Sequence, residues 1–209
     1  MQQAFRPHDL IWPASPAGLR SAVAVLPDWL NPAWPVVIRR APADGLWLPV
    51  GLRGHSRSLR HAAFLLSEGA TLCATPESLV TGWQQHPELL VFHCVRLLKA
   101  VAKTCNALAL PWGPTGSVGF ALATGEAVLR TDSDLDLVVK ATQPLTVGQI
   151  ELLHTLEQQA QHFQCCIDVQ IDTGQGAFAF SEWQRTAQRV LLKTDAGPVL
   201  TEDPWGTTA

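Results

Sequence analysis

One run of side chains constrains this chain more than any other. Asp132-Ser133-Asp134-Leu135-Asp136-Leu137-Val138-Val139 alternates polar and apolar residues before turning wholly apolar. The period of two is that of a strand, with Asp132, Asp134 and Asp136 on one face and Leu135 and Leu137 on the other. Such a strand belongs in a sheet with a core beneath it and carboxylates converging at one edge. Two residues along a strand span roughly 6.6 Å, near enough for flexible carboxylates to share two divalent ions about 3.5–4 Å apart, the spacing used in in-line phosphoryl displacement. Isolated anions that close repel one another unless a cation stands between them.

The surroundings of this run read as strand, helix, strand, helix, strand. The first strand is expected at Ala107 to Trp112, followed by the loop Gly113-Pro114-Thr115-Gly116-Ser117. There Gly116 lets the backbone approach a phosphate, and a free helix start offers N–H donors, so Gly116 and Ser117 are candidate phosphate-binding residues. Thr146 to Phe163 has a polar start and the apolar spacing of a helix, with Ile150, Leu153 and Leu156 on one side. The strand Cys165 to Ile171 follows, with Asp168, Gln170 and Asp172 sharing a face. Pairing of this strand with the first acidic one brings Asp168 beside Asp134 and Asp136 as a third carboxylate. A further strand, Arg189 to Thr194, precedes Gly197-Pro198, and the end, TEDPWGTTA, is expected to fray.

The first half has another texture. WPASPAG and LPDWLNPAWPVVIRRAPADG interrupt short apolar runs with turns, so strands are expected at Val36 to Arg40 and Leu46 to Val50, joined by Pro42-Ala43-Asp44-Gly45. Ser56 to Glu68 reads as a helix, Thr75-Pro76-Glu77 as a helix start, and Glu88 to Leu108 as a long amphipathic helix. Arg53, Arg57 and Arg60 stand at i, i+4 and i+7, so if helical they form one cationic stripe able to meet a triphosphate, beside Gly51 and Gly54. A solvated face is the plain alternative for the same spacing. Lys193, on a strand after the Asp168 strand, is a candidate for the leaving phosphates, with an ordinary surface lysine as its alternative. The fold class is therefore α/β in the α+β sense. Residues 86–209 are expected to form a domain with a mixed sheet and flanking helices that carries the acidic run, and residues 1–85 a smaller α+β domain.

Composition narrows the classes of function. Hydrophobic residues make up 47% of the 209 and charged residues 16%, as in a compact folded protein. A formal charge of −3 gives no general attraction to nucleic acid or an anionic membrane, so neither is expected as a partner. The opening MQQAFRPHDLIW lacks a basic segment followed by an unbroken apolar one, and no stretch approaches the roughly 18 apolar residues of a membrane span, so a cytoplasmic location is expected. Cysteines 73, 94, 105, 165 and 166 show no disulfide or zinc spacing and read as core or half-buried thiols. Histidines 8, 55, 61, 86, 93, 154 and 162 show no pairing typical of a metal site or triad, and the eight tryptophans are expected mainly in cores.

The order strand, Gly-Ser, helix, Asp-x-Asp on a strand, then a strand with Asp resembles the nucleotidyltransferase superfamily, whose Gly-Ser and paired carboxylates hold a nucleoside triphosphate and Mg²⁺. A narrower likeness runs nearly end to end. Arg6-Pro7-His8-Asp9-Leu10-Ile11-Trp12, Val50-Gly51-Leu52-Arg53-Gly54 with Arg57 and Arg60, Thr75-Pro76-Glu77, the Gly-Ser and Ser-Asp-Leu-Asp-Leu segments, and Leu191-Leu192-Lys193-Thr194 together resemble phosphoribosyl-dephospho-CoA transferase, the holo-acyl-carrier-protein synthase of malonate decarboxylase. The resemblance implies that the prosthetic group passes from 2′-(5″-triphosphoribosyl)-3′-dephospho-CoA to a serine of the decarboxylase's acyl carrier subunit, with release of pyrophosphate. It places the catalytic aspartates at Asp134 and Asp136. With Asp168 these would hold Mg²⁺ or Mn²⁺, and Asp168 completes the metal shell or accepts the serine proton. Two other readings stay open: transfer of a plain nucleoside monophosphate to a small molecule or protein, and a catalytically inactive nucleotide-binding regulator.

Overall fold

The structure is a computed structural model and describes residues 5–56, 58–185 and 189–206. Two compact units make up the chain, Met1–Thr75 and Pro76–Ala209. Each has its own six-stranded sheet. The division falls ahead of the boundary expected near residue 85. Pro76–Leu79 forms a 3₁₀ turn whose Pro76 and Leu79 are buried, and Glu77 takes an ion-paired hydrogen bond from Lys140 Nζ. The residues just past Thr75 are thereby tied to the second core.

The first unit consists of β1 (Leu10–Pro13), β2 (Leu19–Ser21), β3 (Val36–Ile38), β4 (Trp47–Arg53), β5 (Arg60–Leu66) and β6 (Ala70–Ala74). The spatial order is β2-β5-β4-β3-β1-β6, with every pair antiparallel. Alternation along these strands sends Ile11, Leu19, Val36, Ile38, Val50, Leu52, Ala63 and Leu65 into one cluster, each large side chain contributing about 1.5–3 kcal/mol when fully buried. The expected pair β3 and β4 is present, joined through the Asp44-Gly45 turn. The helix expected over Ser56 to Glu68 is instead β5. Ala62, Ala63, Leu65 and Leu66 favour helix locally, but seven residues of β4 offer a matching ladder, from Trp47↔Leu66 to Arg53↔Arg60. Pairing and burial of alternate residues override the local preference.

The second unit contains α1 (His93–Ala107), β7 (Trp112–Pro114), α2 (Gly116–Thr124), β8 (Leu135–Lys140), α3 (Val147–His162), β9 (Ile167–Asp172), β10 (Ala177–Ala179), α4 (Phe180–Arg185), β11 (Val190–Thr194) and β12 (Gly197–Thr201). The sheet is mixed, in the order β12-β11-β10-β9-β8-β7. Among the described strands only β8 and β9 run parallel, the arrangement that requires a long crossover, here α3. Thr146 and Gln149 form a reciprocal capping box at its start, satisfying two backbone donors. The long helix expected over Glu88 to Leu108 is broken: a 3₁₀ turn spans Pro87–Val91, extended Phe92 interrupts it, and α1 follows. Because α1 runs to Ala107, the expected strand at Ala107 to Trp112 starts only at Trp112. Up to Gly206 the chain is held in place where fraying was expected, and Thr207 to Ala209 lie outside the described residues. Trp205 Nε1 donates to Ala141 O at 2.7 Å, and its ring meets Phe178 and Trp183 edge-on. No described helix is long and apolar enough to cross a membrane.

Candidate active site

Strand β8, between β9 and the edge strand β7, buries Leu135, Leu137 and Val139 on one side, all fully inaccessible. Alternation then presents Asp136 on the opposite side, half-buried. Antiparallel β7 ends at Pro114, opposite Leu137, and the chain turns at once into α2. Thr115, the residue capping α2, donates its N–H to Asp136 O at 2.9 Å, which pins the start of the helix to the strand beside the carboxylate. Gly116 adopts φ +60° there, and a Cβ built on it would collide with Asp136 Oδ2. Glycine is required twice over: for the left-handed backbone and for the space the carboxylate fills. The Asp136 side chain thus lies against the first residue of a helix, where N–H groups have no acceptor within the helix and the helix dipole favours negative charge. Ser117, half-buried, is next on that first turn.

Asp134 stands two residues ahead, just before β8 begins, and is half-buried. Two neighbouring thiols register its charge. Burial pushes Cys94, in the first turn of α1, up to about 11, with Cys165 and Asp134 adding to the rise. Cys165 is pushed up by burial too, with the charges of Asp134 and Asp136 adding to it. Its Sγ donates to Ser133 O at 3.6 Å, so this thiol is held protonated at the peptide that leads into Asp134. No pattern in the sequence announces this neighbour: Cys165 lies far along the chain from Asp134 and reaches it only because β9 runs beside β8. Asp132, by contrast, lies in an exposed turn before the strand and takes no part in its alternation.

The third carboxylate follows from parallel pairing. Asp168 is the register partner of Asp136, so the two Cα atoms are about 4.8 Å apart on one face. Among the described residues, however, no three His, Cys, Asp or Glu side chains are gathered into a group able to hold a metal ion. Asp134 and Asp136 therefore stand as a pair, with Asp168 beside them. Two such carboxylates are hard oxygen donors, the chemistry that suits Mg²⁺ or Mn²⁺ bound with water and substrate phosphate for the rest of its shell.

The arginines expected on a helix are arranged by a hairpin instead. Arg53 ends β4, Arg60 begins β5, and the two are directly opposite. Arg57 lies outside the described residues. Lys193 is exposed on β11 and is in register with Asp172 through Ala177. It is two strands across and four residues along from Asp168, roughly 16 Å by ordinary sheet spacings, so the fold does not bring it to the carboxylates.

Residues 6–76 match the N-terminal domain of phosphoribosyl-dephospho-CoA transferase MdcG, and residues 81–204 match its C-terminal domain. The chain belongs to the phosphoribosyl-dephospho-CoA transferase family. A phosphoribosyl-dephospho-CoA transferase of Pseudomonas putida strain GB-1 is 44% identical over 207 residues, covering 97% of this chain and 96% of the relative. One from Azotobacter vinelandii is 39% identical over 210 residues, with 98% and 96% covered. One from Klebsiella pneumoniae strain 342 is 38% identical over 212 residues, with 98% of both covered. No solved structure matches the chain. The likeness to the family is full-length, so it spans both the segment that holds Arg53 and Arg60 and the segment from Gly116 to Asp136.

Proposed function

We propose that this chain transfers phosphoribosyl-dephospho-CoA from its 5″-triphosphorylated form to a serine of a small acyl carrier protein, that of malonate decarboxylase, and releases pyrophosphate in the cytoplasm. The observation that carries the reading is the Asp136 carboxylate seated against Gly116 at the start of α2, in a chain whose relatives bear the transferase name over their full length. A helix start beside a carboxylate pair suits a substrate that brings both phosphate and metal.

In this mechanism Asp134 and Asp136 would hold Mg²⁺ or Mn²⁺, which when bound neutralises charge on the triphosphate. Backbone N–H groups at Gly116 and Ser117 bind the departing phosphate oxygens. Asp168 accepts the serine proton. The serine oxygen forms a bond to the α-phosphorus, the bond from that phosphorus to the bridging oxygen breaks, and pyrophosphate leaves with both electrons of the broken bond. Arg53, Arg57 and Arg60 hold the donor's phosphates. Cys94 and Cys165 stay protonated and take no part in bond making.

Intact-mass measurement of the purified carrier, after incubation with enzyme, metal and donor, tests the reading directly. The carrier should gain the mass of phosphoribosyl-dephospho-CoA while one pyrophosphate appears per modified chain, and a carrier with its serine replaced by alanine should yield neither. Labelling by plain ATP as efficient as by the triphosphoribosyl donor would shift the assignment to general nucleotidyl transfer. Donor binding without any turnover would leave a nucleotide-binding regulator.

A further inference from the structure

The sheet of Met1–Thr75 has two faces, and only one is accounted for by the core. On the other, Gly51 of β4 is opposite Val37 of β3 and Ala62 of β5, and one step further Arg53 is opposite Arg60. Arg39 follows β3 on the same side, its backbone N–H donating to Pro49 O at 2.9 Å. Its side chain does not stand upright there. A Cβ built on Gly51 would be 3.3 Å from Arg39 Cδ and 3.6 Å from Arg39 Cγ, so the Arg39 stem lies along β4, from level with Pro49 to over Gly51, towards the Arg53–Arg60 rung. The missing side chain of Gly51 is the lane it occupies.

Charge on this face is all of one sign. None of the residues sharing it on β2, β3, β4 and β5 is acidic. Guanidinium groups are strong, charge-assisted donors to phosphate oxygens. Arg20 is occupied otherwise, its guanidinium 4.4 Å from the centre of the Trp47 ring. Arg39 and Arg60 are exposed and form no ion pair among the described residues.

We infer that Arg39, carried over Gly51, joins Arg53 and Arg60 as a three-arginine platform for a polyphosphate, with Gly51 as the residue that sets its geometry. Guanidinium forks meet phosphate oxygens in pairs, and three of them around a floor of Gly51 and Ala62 match an extended chain of phosphates better than one phosphate. That the polyphosphate is the donor's triphosphate arm rests on the transferase reading above. The platform itself does not.

Calorimetric titration of the full chain with inorganic tripolyphosphate tests it. Arg39→Ala should weaken binding at least about tenfold. Gly51→Val, which removes no charge and suits a strand, should weaken it to a similar degree by closing the lane, and the double variant should be little worse than either single one. Lys99→Ala, an exposed cation on α1, should bind as the parent does. Thermal melts check that each variant is folded, and if Gly51→Val fails to fold, Arg39→Gln carries the test. Arg39 variants that bind tripolyphosphate as tightly as the parent overturn the inference, as does equal weakening by Lys99→Ala, or a single-stranded oligonucleotide binding as tightly as tripolyphosphate. Weakened tripolyphosphate binding in Arg39→Ala, with a carrier that never gains mass, upholds the platform while removing the transferase reading. Carrier modification with an unchanged donor KM in Arg39→Ala removes the donor's triphosphate arm as the platform's ligand and leaves the reading intact.

Discussion

Where the sheet of Pro76–Ala209 sets carboxylates side by side by running β8 and β9 parallel, the sheet of Met1–Thr75 sets guanidinium groups face to face by folding β4 back on β5. Each is a close pair of like charges: guanidinium groups suit phosphate oxygens, and carboxylates suit a divalent cation. The charge balance follows the same division. Residues 1–75 hold seven arginines against four acidic side chains, and residues 76–209 hold eight basic side chains against 14 acidic ones. A net charge of −3 for the whole chain therefore conceals a basic unit of +3 and an acidic one of −6. A near-neutral total gives the whole chain no general attraction to nucleic acid, yet it says little about how strongly either unit binds phosphate. If, as proposed, Asp134 and Asp136 serve bond making while Arg53 and Arg60 hold the ligand, substitutions on each side should separate kcat from KM.

The largest effect is expected from the acidic pair. Asp134→Asn or Asp136→Asn should lower transfer by at least about two orders of magnitude with the protein still folded, because each removes a charge that stabilises the transition state. Circular dichroism with turnover measured on the same sample is the check. Near-normal turnover in a folded variant would remove the division of labour at its strongest point. Asp168→Asn should fall less steeply and mainly in kcat. A wild-type rate for it would take Asp168 out of the site.

On the basic side, Arg53→Ala or Arg60→Ala should raise the donor KM while leaving kcat within a few-fold. Losing one charge-assisted bond to phosphate costs about 1.5–3 kcal/mol, roughly ten- to over a hundredfold in affinity. Added salt should mimic the change in the parent enzyme, since exposed charges are screened on the scale of about 8–10 Å. A loss confined to kcat would mean that the arginines act on the reacting phosphate itself, and the line between the two sheets would need redrawing.

Much of this arrangement is legible in the order of the residues alone, and the reasons differ by region. Around β8 and β9 local pattern and fold agree: alternation in Asp134–Val139, the polar start of α3 and the apolar run into β9 all point to one parallel pair, and that pair delivers Asp168 to Asp136. In the first unit they conflict. The run from Arg60 to Leu66 carries alanine and leucine at helical spacing, and only the presence of β4 alongside makes it a strand. Helical spacing therefore puts Arg53 and Arg60 on one stripe, whereas a hairpin is what gathers them. The lie of Arg39 along β4 leaves no sign in the sequence because it depends on empty space over Gly51, and the contact of Cys165 with Ser133 leaves none because it joins the segments that lead into two different strands. Contacts made by absent atoms or across a ladder leave no periodic trace.

The smallest effect, and so the sharpest check on position, concerns Lys193. By residue type and by its place after the Asp168 strand it looks suited to the leaving phosphates, and a lysine is a common phosphate binder. Its register says otherwise. Lys193 is level with Asp172 at the far end of β9, with β10 between, and its side chain is exposed. A lysine side chain reaches about 6 Å from its Cα, well short of the roughly 16 Å to Asp168 that sheet spacings give. Lys193→Ala should therefore leave kcat and donor KM within about twofold of the parent, in line with an exposed surface substitution. Steady-state kinetics on the carrier assay measures both. A fall of tenfold or more would mean that the acidic sheet holds its own phosphate-binding cation, and the separation of bond making from ligand holding between the two units would fail.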